Sequence, residues 1–326
     1  MAVAGCRGIS RVLEKLENSI KNGEYYEAHQ MYRTLYFRYL NQKKYKELKE
    51  MFYQGSMLFL DANQKASGAD LGTLLVEVLD KSEDTNYEAW SPKLAAIFLK
   101  IGPLHATERE SFLCKAVKWS AQGSTQGHPS LHQHIAKIYW DELNYVQARH
   151  HYVLSEDGKS CGKLLIEFQL TKGFKSEVDL FVAQAVLQFL CLRNQNTANQ
   201  TFTTYTENHP RIRKTEPPYL LPLLNFIWFL LRAVETKKLQ TFAVLCEQYQ
   251  KSIERDPCYL QYLDKIGQIF FGVKPPAKKK SGGLFGNFIE SFLGGLDDES
   301  DDEVNEPNRP QAASTSRRLV ENADLD

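Results

Sequence analysis

The chain has 326 residues, 43% of them apolar, and its 40 basic and 40 acidic side chains cancel to a formal net charge of zero. Such a length can hold one or two cores or a long repeat array, and the charge balance argues against a nucleic-acid partner. Six widely spaced cysteines without a C-x-x-C pair argue against a zinc ribbon or redox motif and fit a reducing compartment.

The N-terminus lacks the long apolar stretch of a signal peptide. The first eight residues read as a flexible lead. The first sixty carry 10 basic and 6 acidic groups, a mild excess that suits either an acidic protein partner or scattered solvated side chains. From there helical periodicity dominates and strand signals are scarce.

One short pattern occurs three times: Tyr25-x-x-Ala28-x-x-x-Tyr32, preceded by Gly23-Glu24, then Tyr45-x-x-Leu48-x-x-x-Phe52 and Tyr145-x-x-Ala148-x-x-x-Tyr152. Its tyrosine is expected to cover the end of the preceding helix. The small residue three positions on lets helices approach, and the aromatic at i+7 returns to the same face. The second helix of a tetratricopeptide-type hairpin begins this way, and stacked hairpins form a solenoid that holds other proteins.

Ala28, Met31, Tyr32, Leu35, Tyr36 and Tyr39 form one apolar stripe, and Leu131, Ile135 and Ile138 mark another helix. The run from Val178 to Leu190 fits the i, i+3, i+4, i+7 template without a gap. Ser91-Pro92 predicts an N-cap before a first-turn proline, and Thr107-x-x-Glu110 and Ser176-x-x-Asp179 predict capping boxes. Breaks are predicted at Asn22-Gly23, Gly102-Pro103, 123–129, Asp157-Gly158, 194–196, His209-Pro210 and Asp256-Pro257. They leave room for about fourteen helices joined by short turns. The fold class is all-α, a right-handed α-solenoid of stacked tetratricopeptide-like hairpins. Its N-terminal half spans 9–155 and its C-terminal half 156–273, with no constant period of about 34 residues.

The most apolar run, 217–231, contains Pro222 and Asn225 and falls short of the about twenty residues that span a bilayer. It reads as a helix covered on both sides, by the end of the solenoid or by a partner. No stable membrane insertion is expected, and the chain reads as soluble and cytosolic. Cys114, Cys191 and Cys246 lie in apolar segments and read as small core fillers.

Composition changes at Lys274. From there the chain has 7 basic and 11 acidic side chains, and 297–306 holds seven acids and no base. This tail, 274–326, is expected to be disordered. It is interrupted by an apolar segment at 284–293, with apolar side chains at 284, 285, 288, 289, 292 and 293 on one helical face. That segment reads either as a docking helix for a partner groove or membrane surface, or as a piece folding back on its own body.

Catalytic signals are missing. There is no G-x-S-x-G elbow, no G-x-x-x-x-G-K-S/T loop and no strand-linked G-x-G-x-x-G. His128, His132 and His134, with His150 and His151 beyond the next turn, are the one constellation that could hold zinc. No acid accompanies them, and His128 precedes Pro129, which places it just outside its helix. Neither metal nor cofactor is expected. Without catalysis, the alternatives are a bridge between proteins and a generic tetratricopeptide co-chaperone that clamps acidic C-terminal peptides of heat-shock chaperones.

The segment from Gly23 to Leu35 (GEYYEAHQMYRTL) resembles the Golgi-to-ER traffic protein four family, a subunit of the machinery that guides tail-anchored membrane proteins to the endoplasmic reticulum. Further matching segments run from Val182 to Leu190, Phe202 to Thr206, Pro222 to Leu231 and Arg255 to Pro257. The resemblance covers roughly residues 8 to 296. It implies a helical solenoid of about seven hairpins without enzymatic activity. It also implies an N-terminal half that docks the targeting ATPase and a C-terminal half that grips a partner segment. In fungi that partner is a ubiquitin-like co-chaperone subunit; in animals it is a large BAG-domain, ubiquitin-like holdase, which the bridge also retains in the cytosol by covering its import signal. Tyr26, His29, Arg33 and Arg38 are the candidate ATPase contacts. Phe226, Trp228, Tyr249 and Tyr262 are the candidate co-chaperone contacts. Tyr25 and Ala28 are expected to pack the hairpin. The family's short C-terminal β-hairpin has no clear strand pattern in this sequence.

Overall fold

The structure is a computed structural model that describes residues 2–121, 124 and 126–274, with side chains from residue 11 onward. Among these residues there are fifteen α-helices and no strand: α1 (Ala2–Lys21), α2 (Tyr25–Asn41), α3 (Tyr45–Asp61), α4 (Lys65–Lys81), α5 (Tyr87–Ile101), α6 (Ala106–Ser120), α7 (Pro129–Asp141), α8 (Tyr145–Val153), α9 (Gly158–Lys172), α10 (Val178–Cys191), α11 (Gln195–Asn208), α12 (Pro222–Thr236), α13 (Leu239–Gln248), α14 (Gln250–Ile253) and α15 (Pro257–Phe270). The helix beyond the expected fourteen is the four-residue α14. α1 starts at Ala2, earlier than the break the sequence suggests at residue 8.

Most helices pack on the next and on the next but one, although α6 and α7 do not pack closely on each other. Even-numbered helices form one layer (α2 on α4 on α6, α8 on α10 on α12), and odd-numbered helices form the other (α3 on α5 on α7, α9 on α11). This is the solenoid the repeated motif predicts. The motif's residues do what their spacing requires. Ala28 and Leu48 are fully buried, and the Tyr32 ring meets Phe52 and Phe59 edge-on, each with centroids 5.9 Å apart. A Cβ at Gly55 would lie 2.7 Å from the Tyr32 ring, so only glycine lets α3 approach α2 this closely there. The leading tyrosines, however, pack forward rather than back. Tyr25 meets Phe59 at the far end of α3, and Tyr145 stacks on Phe168 at the far end of α9. Antiparallel packing explains this, because it sets the start of one helix beside the end of the next.

Six of the turns share one geometry. The residue two past the helix end is left-handed, and the following N–H bonds back to a carbonyl five residues earlier: Glu24 to Ser19, Lys44 to Tyr39, Gln64 to Phe59, Asp84 to Leu79, Asn144 to Tyr139 and Asn194 to Phe189. Only the first uses glycine, Gly23; the others place Lys43, Asn63, Glu83, Leu143 and Arg193 at φ between 50° and 63°. Four of these turns, near residues 43, 63, 83 and 143, carry no glycine or proline and are silent among the predicted breaks. All seven predicted breaks fall between helices or at the first residues of a helix, as at Pro129, Gly158, 195–196 and Pro257.

Three predicted helix starts move. α5 starts at Tyr87 with the Asn86 side chain as its cap, which leaves Pro92 inside the helix and Ser91 buried with an unpartnered hydroxyl. α6 starts at Ala106 after a short 3-10 turn, so Thr107 lies within it. Asp179 does not cap; it is 1% exposed and pairs with Arg255 at 2.6 Å, while Glu177 takes the N–H of Phe174. Cys191 and Cys246 are buried as expected, but Cys114 is exposed, because it falls on the outer face of α6.

Helix α10 is the hub. It touches α8, α9, α11, α12 and α15, and ten of its residues are buried. After α12 the chain reverses through α13 and α14, and α15 folds back on α10. The apolar run becomes α12, whose Leu223, Leu224, Phe226, Ile227, Leu230 and Leu231 are buried. None of the helices in the described residues is long and apolar enough to cross a membrane. The 284–293 segment and the acidic tail lie outside the described residues.

Candidate functional site

Two surfaces carry exposed aromatic and basic side chains. The first is the outer face of α2. Tyr26, Arg33 and Phe37 stand at i, i+7 and i+11, which returns to nearly the same angle on a helix. Tyr26 is 77% and Phe37 60% exposed. Arg33 is about half exposed, with Nη1 3.8 Å from the Asp70 carboxylate on α4. Arg38 is also exposed but lies a third of a turn away. His29 does not join them, contrary to the expected exposed contact. It is buried against Phe59, and its Nε2 lies 2.8 Å from Asp70 Oδ2. The reason is phase: position 29 follows Ala28 onto the inner stripe. Phe37 is the residue the sequence reading misses, although its i+11 relation to Tyr26 is visible in the helix period.

Behind this face runs a polar seam along α4. Asp70 takes His29 and Arg33 from α2, and the His29 bond is the main reason its carboxyl titrates below the usual range. One helical period of two turns on, Glu77 accepts from the Tyr36 hydroxyl at 3.2 Å and from Lys115 of α6 at 3.2 Å. The seam fixes the orientation of α2 on α4, and with it the outward stripe.

The second surface lies near the C-terminal end, and the four residues predicted there do not converge. Phe226 is fully buried under Tyr249, at 5.8 Å between rings, so it is core and not contact. Trp228 is two positions on, about 200° around α12. It points outward, half-buried, edge-on to the exposed Phe229 at 4.8 Å. Tyr249 is half-buried beside Phe226. Tyr262 belongs to a different place: its hydroxyl accepts from Gln188 Nε2 at 3.0 Å across the α10–α15 contact. The exposed pair is therefore Trp228 and Phe229, with Val244 of α13 also 51% exposed. A cavity of about 520 Å3 opens between residues 210–214 and the start of α12, walled by Lys175, Arg211, Arg213 and Lys214 over Val178 and Leu224.

The histidines serve the fold. His128 caps α7, its Nδ1 accepting from the N–H of Ser130, and its ring stacks on Tyr87 at 4.7 Å. His132 and His151 are buried with Nδ1 atoms 2.8 Å apart, and His132 Nε2 lies 2.6 Å from the Gln126 carbonyl. That carbonyl requires N–H on His132 Nε2. His132 Nδ1 is then the acceptor, and His151 donates to it. Both nitrogens of His132 are thus spent. His134 Nδ1 bonds the Ser130 carbonyl. Among the described residues no three potential ligands gather as a metal site.

Comparisons with known proteins agree with this architecture. The family model described as Golgi to ER traffic protein 4 matches residues 42–293. The Golgi to ER traffic protein 4 homolog of Oryzias latipes is 50% identical over 305 residues, covering 93% of this chain and 94% of that protein. The homolog of Homo sapiens is 50% identical over 297 residues, covering 91% and 90%. The crystal structure of C. therm. Get4 shares the fold with a TM-score of 0.73 at 24% identity, covering 92% of this chain and all of that one. The chain belongs to the Golgi to ER traffic protein 4 family.

Proposed function

We propose that this protein is a non-enzymatic scaffold that delivers newly made tail-anchored membrane proteins toward the endoplasmic reticulum. It bridges a BAG-domain, ubiquitin-like holdase to the targeting ATPase and keeps the holdase in the cytosol. The observation that carries this reading is 50% identity over nine-tenths of the chain to Golgi to ER traffic protein 4 homologs. Two uncovered surfaces near opposite ends of the chain support it, since a bridge needs two. Tyr26, Arg33, Phe37 and Arg38 form the ATPase-facing surface; Trp228, Phe229 and the neighbouring basic cavity form the holdase-facing one. Large aromatic side chains and arginine dominate binding energy at protein interfaces.

Capture from cytosol tests it. The full chain is expected to recover both partners. Tyr26→Ala with Phe37→Ala should lose the ATPase alone, and Trp228→Ala should lose the holdase alone, by about 2–4 kcal/mol if the ring anchors the contact. Recovery of neither partner by the unaltered chain rejects the bridge. Loss of both with either variant rejects the division into two surfaces.

A further inference from the structure

Helices α8 and α15 both pack on α10, and a slot stays open between them. Two cavities of about 300 and 590 Å3 share Val146 and Arg149 and join into one groove, with α10 as floor and α8 and α15 as walls. The groove runs along α10 from Phe181 to Cys191, ten residue steps, or about 15 Å. Along its floor the polar groups pair with the walls: Arg149 donates to Gln184, and Gln188 donates to Tyr262. Apolar surface remains, and Val146 at the mouth is 60% exposed. Such a groove offers apolar surface on which apolar side chains can pack.

The chain carries a segment of matching size. Residues 284–293 are ten residues, about 15 Å as a helix. Their six apolar side chains cover half of a helical circumference, the half that a floor and two walls would enclose. Asn287, Glu290 and Ser291 fall on the other half. The family match continues past Lys274 through this segment to residue 293. Tyr262 in the groove lies eight residues before the end of α15, about 12 Å along that helix, and Lys274 follows four residues after its end. The nine residues 275–283 extend to about 30 Å, which is ample. Tethering at this distance gives an effective concentration on the order of millimolar, so modest intrinsic affinity suffices.

We propose that residues 284–293 dock as a helix in the α8–α10–α15 groove of their own chain. Charge disfavours a membrane as the alternative occupant. From 281 to 306 there are eight acids and no Lys or Arg, which an anionic lipid surface repels, whereas the groove's own charged lining, Arg149 and Lys265 with Glu177 and Asp256, is balanced. The three lysines at 278–280 lie in the connecting stretch.

The test uses the full chain with Cys6, Cys114, Cys258 and the groove's own Cys191 replaced by Ser. Val146→Cys paired with Phe288→Cys should oxidise to an intrachain disulfide at a rate independent of protein concentration. That rate should be about tenfold faster than for Leu104→Cys paired with Phe288→Cys, Leu104 being 95% exposed at the distant α5–α6 turn. Equal rates, or disulfides only between chains as a second copy would give, overturn the proposal. In the chain with native cysteines, hydrogen exchange should show protection of 284–293 that falls about tenfold in Val146→Asp, while α10 keeps its own. Absence of protection in the unaltered chain overturns docking. So does flotation on phosphatidylcholine–phosphatidylserine vesicles that is abolished by Phe288→Asp.

Discussion

At the scale of single residues, six non-glycine side chains, Lys43, Asn63, Glu83, Leu143, Arg193 and Lys237, sit on left-handed backbone, at a cost of about 1–2 kcal/mol each. Glu83 is exposed and makes no ion pair among the described residues. Glu83→Gly is therefore expected to raise stability by about 0.5–1 kcal/mol after glycine's own entropy cost, and Glu83→Val to lower it; urea denaturation compares the two. Arg109 shows the opposite economy, with each of its groups in use. It is 4% exposed, forks onto Glu142 with bonds of 2.9 and 2.6 Å, donates from Nε to the Phe98 carbonyl and lies 3.9 Å over the Phe98 ring. It ties α5, α6 and the end of α7. Lysine keeps the charge but not the fork or the plane, so Arg109→Lys should cost about 2–3 kcal/mol in the same assay. Neither position was legible in the sequence. The need for a left-handed residue is set by where two helices must turn, and the partners of Arg109 lie 11 and 33 residues away.

At the scale of elements, the helices themselves follow from local pattern. Apolar spacing placed α2, α7 and α10, and the predicted breaks at Asp157-Gly158 and Asp256-Pro257 coincide with the starts of α9 and α15, where each Asp side chain caps. The misplaced starts at Ser91, Thr107 and Ser176 share one cause: each signal was outcompeted by a neighbour, Asn86 and a 3-10 turn upstream of the first two and Glu177 just after the third. What holds α15 on α10 was invisible. Arg255 reaches 2.6 Å from Asp179, which is almost fully buried, and also donates to the Ser176 carbonyl. Removing one partner leaves a buried charge uncompensated, so Arg255→Ala should cost about 3–5 kcal/mol, while Arg255→Ala with Asp179→Asn should recover part of it. Proteolysis should then cut first near α14 in the single variant. Unchanged stability in that variant would show that α15 is held by apolar packing alone.

At the scale of the whole molecule, acid is expected to unfold the rod earlier than its carboxylates alone would suggest. Burial pushes His151 down to about 3 and His209 down to about 4, and it also lowers His132, which His128 and His150 lower further by charge. These imidazoles stay neutral when folded but take up protons near 6.5 when unfolded. Stability should therefore be flat above pH 6.5 and fall below it, by about 1.4 kcal/mol per pH unit for each such histidine, until the folded values are reached. Asp70 and Asp157, held below the usual carboxylate range, add a further loss below about pH 4. Denaturation midpoints between pH 7 and 4 check this, and His151→Phe should flatten the slope if it folds. The sequence by itself determined that this protein is a stack of α-helical hairpins, because helix period, small residues and aromatic spacing are local and repeat along the chain. It also determined that Tyr26 and Trp228 are worth testing. Only the tertiary structure decided which side of each helix faces out. A residue's exposure depends on which distant helices cover it: α3 and α4 bury His29, and α13 and α14 close over Phe226, whereas the described residues leave Phe37 60% and Phe229 40% exposed.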